Sequence, residues 1–316
     1  MNNKENTFVS AVIYVHNAER RIEKFLQAII GVMENNFENS EIICVNDASD
    51  DGSVSAITNI SMKVNKTSIT LINMSYFHGI ELAMNAGVDL AIGDFVFEFD
   101  NTNLDFDEKL IMQIYQRSLE GYDIVSASPD RKGKISSRIF YRAFERFSNI
   151  TKEMTTESFR VLSRRAINRI SSMNNNVLYR KALYANCGMK TDVIKYSVKE
   201  TYAYSADSKE KSYRRGLAVN SLIVFTEVGY RVSVMMTILM MIISLFTVAY
   251  TIITYLLMNP VDGWTTTILF LSISFFGLFV ILTIIIKYLQ LLVDMTYKRT
   301  HYSFESIEKL TNGRRQ

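Results

Sequence analysis

Histidine and cysteine are scarce in this chain of 316 residues, and proline is almost absent. The three histidines, His16, His78 and His301, are scattered and make no metal cluster. The two cysteines, Cys44 and Cys187, have no second cysteine near them. That excludes CxxC metal and redox motifs and fits a reducing compartment. Pro129 and Pro260 are the only prolines, and no repeat or low-complexity segment is present. No GxSxG, Walker or dinucleotide fingerprint occurs, which excludes the usual serine-hydrolase, P-loop and Rossmann-cofactor signatures. A net charge of +3 is too mild to argue for nucleic acid. The polar opening MNNKENTFVS gives no expectation of a secretory signal peptide.

Charge is also missing from two long stretches, 232–258 (VSVMMTILMMIISLFTVAYTIITYLLM) and 265–286 (TTTILFLSISFFGLFVILTIII). A membrane span needs about 20 apolar residues, so both qualify as transmembrane helices. The link NPVDGW carries Asp262 but no basic residue. Arg214, Arg215 and Arg231 lie before the pair, and Lys287, Lys298 and Arg299 after it. By the positive-inside rule the expectation is a two-span protein of the cell membrane with both termini cytoplasmic. Trp264 stands where an interfacial aromatic would stand. The segment 211–231 is apolar with basic ends and suits a juxtamembrane helix lying along the surface. The tail 287–316 is again amphipathic and is expected on the cytoplasmic surface.

Residues 1–210 read differently. FVSAVIYV is a strand, and the following AERRIEKFLQAIIGVMENN has helical apolar spacing at Ile22, Phe25, Leu26, Ile29, Ile30 and Met33. SEIICVND is a second strand, DGSVSAITNI a short helix and SITLINM a third strand. GIELAMNAGVDLAI is a helix closed by Gly93, and DFVFEFD is a fourth strand. A further helix is expected over 104–120. This alternation predicts an α/β fold with a largely parallel sheet. Ligands of such sheets bind beyond the carboxyl ends of the strands, where Asn46, Asp47, Glu98 and Asp100 fall.

Those residues admit two readings each. Glu98 and Asp100 are two apart and share a strand face. They are either a solvated strand end or ligands of a hard divalent ion such as Mg2+ or Mn2+. Asp47 is either a turn and helix cap or an acceptor for a base N–H beside the small residues Ala48 and Ser49. Arg138, Arg142 and Arg146 share a helical stripe, either a solvated face or a surface for anionic lipid.

Taken in order, SAVIYVHNAERRI, EIICVNDASDDGS, LAMNAGVDLAIGDFVFEFD and SFRVLSRRAINRI resemble the motifs of family-two inverting glycosyltransferases of the GT-A fold. With SSRIFYRAFERFSN, LAVNSLIVFTEVGYR and YKRTHY, the chain more narrowly resembles the polyprenyl-phosphate glycosyltransferases, relatives of dolichyl-phosphate mannose synthase and of undecaprenyl-phosphate glucosyltransferases. The resemblance covers nearly the whole chain. It implies transfer of a hexose-type sugar from a nucleoside diphosphate sugar, with UDP as carrier, to a polyprenyl phosphate at the cytoplasmic membrane face. Its alternatives are another lipid or polymer acceptor, or a non-catalytic scaffold. A homo-oligomer is also implied.

Position by position, the resemblance places Val15, Asn17, Glu19 and Asp47 at the nucleotide. Glu98 and Asp100 stand at the Asp-x-Asp that holds Mg2+ or Mn2+ on the diphosphate. Arg160, Arg164, Lys209 and Arg231 stand toward donor or lipid phosphates. Asp100, Glu98, Glu157 and Arg160 form the implied catalytic set. The departures are Tyr14 and His16 in the first motif, Asn46 for an Asp, Glu98 for the first Asp of Asp-x-Asp and Thr102 for a Gln. Ser158 replaces the Asp before Phe159, with Glu157 one residue earlier, and Glu210 replaces a Tyr.

Overall fold

The computed structural model describes residues 4–130, 157–173, 179–199, 263–297 and 302–311, with isolated positions between 212 and 246. The basic stripe of Arg138, Arg142 and Arg146, Lys209, Arg231 and most of 211–258 lie outside the described residues.

The strands are β1 (Val9–Val15), β2 (Ser40–Asn46), β3 (Ser68–Met74), β4 (Phe95–Phe99), β5 (Ile124–Pro129), β6 (Phe159–Ser163), β7 (Thr191–Tyr196) and β8 (Phe304–Lys309). The helices are α1 (Glu19–Asn36), α2 (Ser53–Ser61), α3 (Ile80–Leu90), α4 (Lys109–Leu119), α5 (Arg164–Ser172), α6 (Arg180–Asn186) and α7 (Gly263–Tyr297). All eight strands join one sheet in the order β7-β5-β6-β4-β1-β2-β3-β8. β1 pairs in parallel with β2 and β4, and β2 with β3. β6 runs antiparallel between β4 and β5, and β8 antiparallel along β3. The alternation therefore holds through β4, and the sheet is mixed beyond it.

β1 is buried along its whole length, as expected for a central strand with helices on both faces. Its Ala11, Ile13 and Val15 meet α1, α2 and α4, while Val12 and Tyr14 meet α3. The helical spacing read in α1 is the buried face: Ile22, Phe25, Leu26, Ile29, Ile30 and Met33 are all in the core. α4 begins at Lys109, five residues later than expected, because 104–107 form the irregular segment after the strand tip. β1 and β4 are neighbours, yet their chains leave toward opposite sides of the sheet order. The carboxyl end between them is the switch point where α/β sheets take ligands.

The chain divides into two compact units. One comprises Met1–Glu145, Ile150–Leu217 and Thr300–Gln316 and holds the sheet. The C-terminal tail is thus not a separate surface segment: Phe304–Lys309 supplies an edge strand, because β3 offers an open ladder of backbone groups. The other unit, Arg146–Asn149 and Ala218–Arg299, contains the 35-residue helix α7. Leu271, Phe275, Leu278, Leu282, Ile285 and Leu289 follow helical spacing along α7 and are all exposed. Gly277 lies against Met240, where a Cβ would stand 2.2 Å from the Met240 Cε. Among the described residues no helix is long and apolar enough to cross a membrane. Many side chains of 265–286, and most of 232–258, fall outside that description.

Gly93 precedes β4 where backbone meets backbone. A Cβ there would stand 2.6 Å from the Ser10 amide nitrogen and 2.8 Å from the Val9 carbonyl carbon, neither of which can rotate away. Gly93→Ala is expected to destabilise the fold by about 1–3 kcal/mol through forced backbone movement, read as a lower thermal midpoint of the full chain.

Candidate active site

β4 and β6 pair with Glu98 directly opposite Arg160. The Arg160 side chain is fully buried, which is costly for a charge unless ion pairs and hydrogen bonds compensate it. Its Nη1 donates to Glu98 Oε2 at 2.6 Å, its Nη2 to Asp100 Oδ2 at 2.6 Å and its Nε to Glu157 Oε2 at 3.1 Å. Arg180, at the start of α6, is buried beside it. Arg180 Nη2 donates to Asp100 Oδ1 at 2.8 Å, Nη1 lies 2.9 Å from Glu98 Oε2, and Nε donates to Glu81 Oε2 at 3.1 Å. Tyr184, one turn along α6, donates to Glu98 Oε1 at 2.7 Å. The Arg160 guanidinium carbon sits 5.4 Å from the centre of the Tyr184 ring.

The two strand-tip acids are therefore neither solvated nor facing one another without support. Burial opposes ionisation of Asp100, but the guanidiniums of Arg160 and Arg180 outweigh it and hold the carboxyl well below the usual carboxylate range. Burial likewise opposes the charge on Arg160 and Arg180, and their carboxylate partners keep both protonated. Burial beside the Glu98 carboxylate pushes the Tyr184 phenol up.

Asp47 is fully buried at the end of β2. Its Oδ1 accepts from the His78 amide at 2.7 Å; its Oδ2 accepts from the Gly79 amide at 2.8 Å and from Tyr14 Oη at 3.0 Å. It holds the two residues that lead into α3, the second of which is the N-cap Gly79 at φ 83. Asp47 thus secures the turn before α3, and makes no cap on the helix that follows it in sequence. Burial raises the Asp47 pKa, partly offset by those donors. His16 Nδ1 is 2.7 Å from the Asp47 carbonyl, and its buried Nε2 has no hydrogen-bond partner among the described residues.

Val15 contributes its carbonyl to the Asp47 amide at 2.8 Å. Asn17, at φ 46, binds the backbone of Asp50 through its side chain, and Glu19 opens α1 beside Asp51. These residues gather at the carboxyl ends of β1 and β2, as the sequence places them. Arg164 does not join the cluster. β6 runs antiparallel, so four residues along it Arg164 is at the opposite sheet edge. There its Nε donates to the Gly93 carbonyl at 3.0 Å and its Nη2 to the Ala91 carbonyl at 2.8 Å. A phosphate role for Arg164 is corrected to a structural one.

Sequence reasoning missed Glu81, Arg180 and Tyr184. Arg180 lies 99 residues from Glu81 and 80 from Asp100, so no local pattern joins them. The one available signal was Glu81, a lone acid in the apolar start of α3.

The residues present fit a divalent ion unequally. Both Glu98 oxygens are taken by donors and the side chain is wholly buried. Both Asp100 oxygens also accept from guanidiniums, but the side chain keeps 11 % exposure, and of the two strand-tip acids it is the one that solvent reaches. Among the described residues no three His, Cys, Asp or Glu side chains form a metal-binding group. The fit is therefore to Asp100, with other ligands coming from a bound phosphate.

A mixed sheet wound on both faces, with acids and guanidiniums at its switch point, defines the class: an α/β enzyme of the GT-A kind. The model for glycosyl transferase family 2 matches residues 10–184, and the chain belongs to that family. It is a glycosyltransferase. An uncharacterized glycosyltransferase of Synechocystis sp. is 30 % identical over 188 residues, 58 % of each chain. The match thus spans less than two thirds of that relative. The bactoprenol glucosyl transferase of Shigella phage SfV is 28 % identical over 277 residues, 85 % of this chain and 88 % of that one. Among solved structures, a mannosyltransferase from Pyrobaculum calidifontis in complex with GDP-Man and Mn2+ shares the fold with TM-score 0.50. That alignment has 14 % identity and covers 69 % of this chain and 63 % of the other.

The depressed Asp100 value gives a pH test. Its pairing stabilises the fold fully above the unfolded carboxylate value near about 4 and is lost as pH falls toward the folded value. Asp100→Asn is expected to lower the thermal midpoint at neutral pH. It should also flatten the fall in stability between about pH 5 and pH 2 seen with the unaltered chain.

Proposed function

We propose that the chain transfers a hexose-type sugar from a nucleoside diphosphate sugar, with UDP as carrier, to a polyprenyl phosphate of the undecaprenyl kind. Transfer inverts the anomeric carbon. The observation that carries this reading is the Glu98–Asp100–Arg160–Arg180 cluster at the switch point of a family 2 chain. Similarity over 85 % of its length to a bactoprenol glucosyl transferase supports the acceptor. The outward apolar row on α7 supports anchoring through 232–258 and 265–286, with the catalytic unit on the cytoplasmic side of the cell membrane.

In this reading Asn17 and Glu19 line the nucleotide end, and the fully buried Asp47 and Val15 hold the backbone that shapes it. Asp100 would hold Mg2+ or Mn2+, and such an ion would neutralise the charge developing on the leaving diphosphate. The nucleophile is an oxygen of the lipid phosphate. A phosphate monoester has a second pKa near about 6, so it is anionic at neutral pH. A strong general base is then unnecessary, consistent with Ser158 in place of an acid. The harder task is to bring two anionic phosphates together. Arg160 and Arg180 are buried and paired with Glu81, Glu98, Asp100 and Glu157, so in this reading the charge at that point would be met by a divalent ion, while the two guanidiniums fix the carboxylates around it. Glu157 orients Arg160 through its Nε. Lys209 and Arg231 are proposed to meet the lipid phosphate.

The test is the full chain in detergent with polyprenyl phosphate, a panel of nucleotide sugars and Mg2+ or Mn2+, with products weighed by mass spectrometry. The expected product is the lipid phosphate plus one hexose. Asp100→Ala should yield none while keeping its circular dichroism. Absence of lipid-linked sugar with every common donor sinks the proposal, and sugar found on another lipid or polymer moves the acceptor assignment.

A further inference from the structure

We propose that Glu98 is a positioning residue that fixes Arg160 and Arg180, and that Asp100 is the sole carboxylate of the pair that takes a divalent ion. This rests on the reading of the strand tip as the diphosphate end of the donor site. The acid-x-acid motif at this position implies two ligands, and the geometry of the chain disagrees for the first.

Glu98 is wholly buried, accepts hydrogen bonds from two donors and is ion-paired with a second guanidinium. Tyr184 Oη donates to one carboxylate oxygen at 2.7 Å. Arg160 Nη1 at 2.6 Å and Arg180 Nη1 at 2.9 Å face the other. An ion could reach it only by displacing two guanidiniums, which would then stand buried beside a dication. Asp100 is held by the same two guanidiniums, Arg160 Nη2 at 2.6 Å and Arg180 Nη2 at 2.8 Å, but it lies past the end of β4 and keeps 11 % of its side chain exposed where Glu98 keeps none. Turning Asp100 outward leaves Arg160 held by Glu98 and Glu157, and Arg180 held by Glu98 and Glu81. The cluster sets four carboxylates against two guanidiniums and the Lys181 ammonium, so it retains an excess negative charge that can draw a cation to the strand tip, where Asp100 is the partly exposed acid.

The glutamate itself follows from this geometry. A carboxylate that must span from Tyr184 on α6 to Arg160 on the neighbouring strand uses the extra methylene. Aspartate would suffice for a ligand at the strand tip. The reversion Glu98→Asp therefore separates the two roles. A ligand role predicts that Glu98→Asp, which restores the usual acid, keeps or raises turnover. A positioning role predicts that turnover falls by about tenfold or more, as for supporting partners of a site, with KM for the nucleotide sugar raised because the guanidiniums are misplaced.

The experiment uses the full chain in detergent. Mn2+ is titrated in the presence of UDP and followed by the electron paramagnetic resonance of free Mn2+, for the wild type, Glu98→Gln, Asp100→Asn and Tyr184→Phe. Transfer is measured in parallel, including Glu98→Asp. Expected results are Mn2+ affinity within about threefold of wild type for Glu98→Gln and Tyr184→Phe, and at least about tenfold weaker for Asp100→Asn, a difference of about 1.4 kcal/mol. Tyr184→Phe leaves both acids in place and should lower turnover in the same direction as Glu98→Asp. Equal loss of Mn2+ in Glu98→Gln and Asp100→Asn overturns the proposal, as does undiminished turnover in Glu98→Asp. Failure of the wild type to bind Mn2+ also overturns it, because Asp100 then holds no ion. If Glu98→Gln does not fold, Tyr184→Phe decides alone. If the wild type transfers no sugar, the functional reading fails while the Mn2+ titration still decides the role of Glu98.

Discussion

A guanidinium buried between two strand-tip carboxylates is the constraint on which the carboxyl edge of this sheet depends. Arg160 has no exposure, and its surrounding anions come from two parts of the chain: Glu98 and Asp100 from β4 and its exit, and Glu157 from the entry to β6. Removing one partner from such a group leaves an uncompensated charge inside the protein, which costs about 3–5 kcal/mol. Lysine could not replace it. A point-like ammonium cannot direct separate donors at three carboxylates, whereas a planar guanidinium presents five in fixed directions.

The same interaction sets strand register. Glu98 and Arg160 face each other across β4 and β6, so a slip by one residue would turn Arg160 into the aromatic layer beneath. That layer enforces the same register independently: Phe99 and Phe159 stack with ring centres 5.3 Å apart, and Phe106 lies 4.3 Å from Phe159. One face of the β4–β6 pair is thus fixed by charge and the other by ring packing. Asp100 follows immediately and is carried to the switch point beside β1. The position of the reactive edge is a consequence of β6 running antiparallel.

The part of the fold that was legible in the sequence is the part built from local rhythm. β1 to β4 and the helices between them announce themselves through apolar runs and 3.6-residue spacing, and the acids at the tips of β2 and β4 fall where that reading puts them. What was illegible is held by pairing across distance. Arg180 reaches Glu81 and Asp100 from 80 or more residues away. Asp47 holds the turn before α3 across 31 residues, although the sequence around it resembles a cap for the helix that follows. Arg164 reads as a companion of Arg160, but strand direction separates them and leaves Arg164 to satisfy the carbonyls of Ala91 and Gly93. Residue type alone identified charged groups; it could not say which of them were spent on the backbone.

The C-terminal strand makes the same point about connectivity. Amphipathic polarity in the tail is equally compatible with a helix on a surface and with a strand on a sheet edge, and no local property of YSFESIEK decides between them. What decides is the unpaired side of β3. Leu71 pairs with Glu308 and Ile72 with Ile307, so the buried ladder of β3 is covered by a strand whose outward residues are mostly exposed. Charged Glu305, Glu308 and Lys309 on the new edge discourage a further strand from adding to it. Ser303 also donates its amide to His78 Nε2 at 3.2 Å, and the His78 amide in turn binds Asp47. The tail is therefore tied to the turn that Asp47 holds. It follows that Ala218–Arg299 is, in sequence, an insertion within the unit that carries the cluster rather than an appendage after it. The α/β unit is complete only when the chain on both sides of that insertion has returned to one sheet.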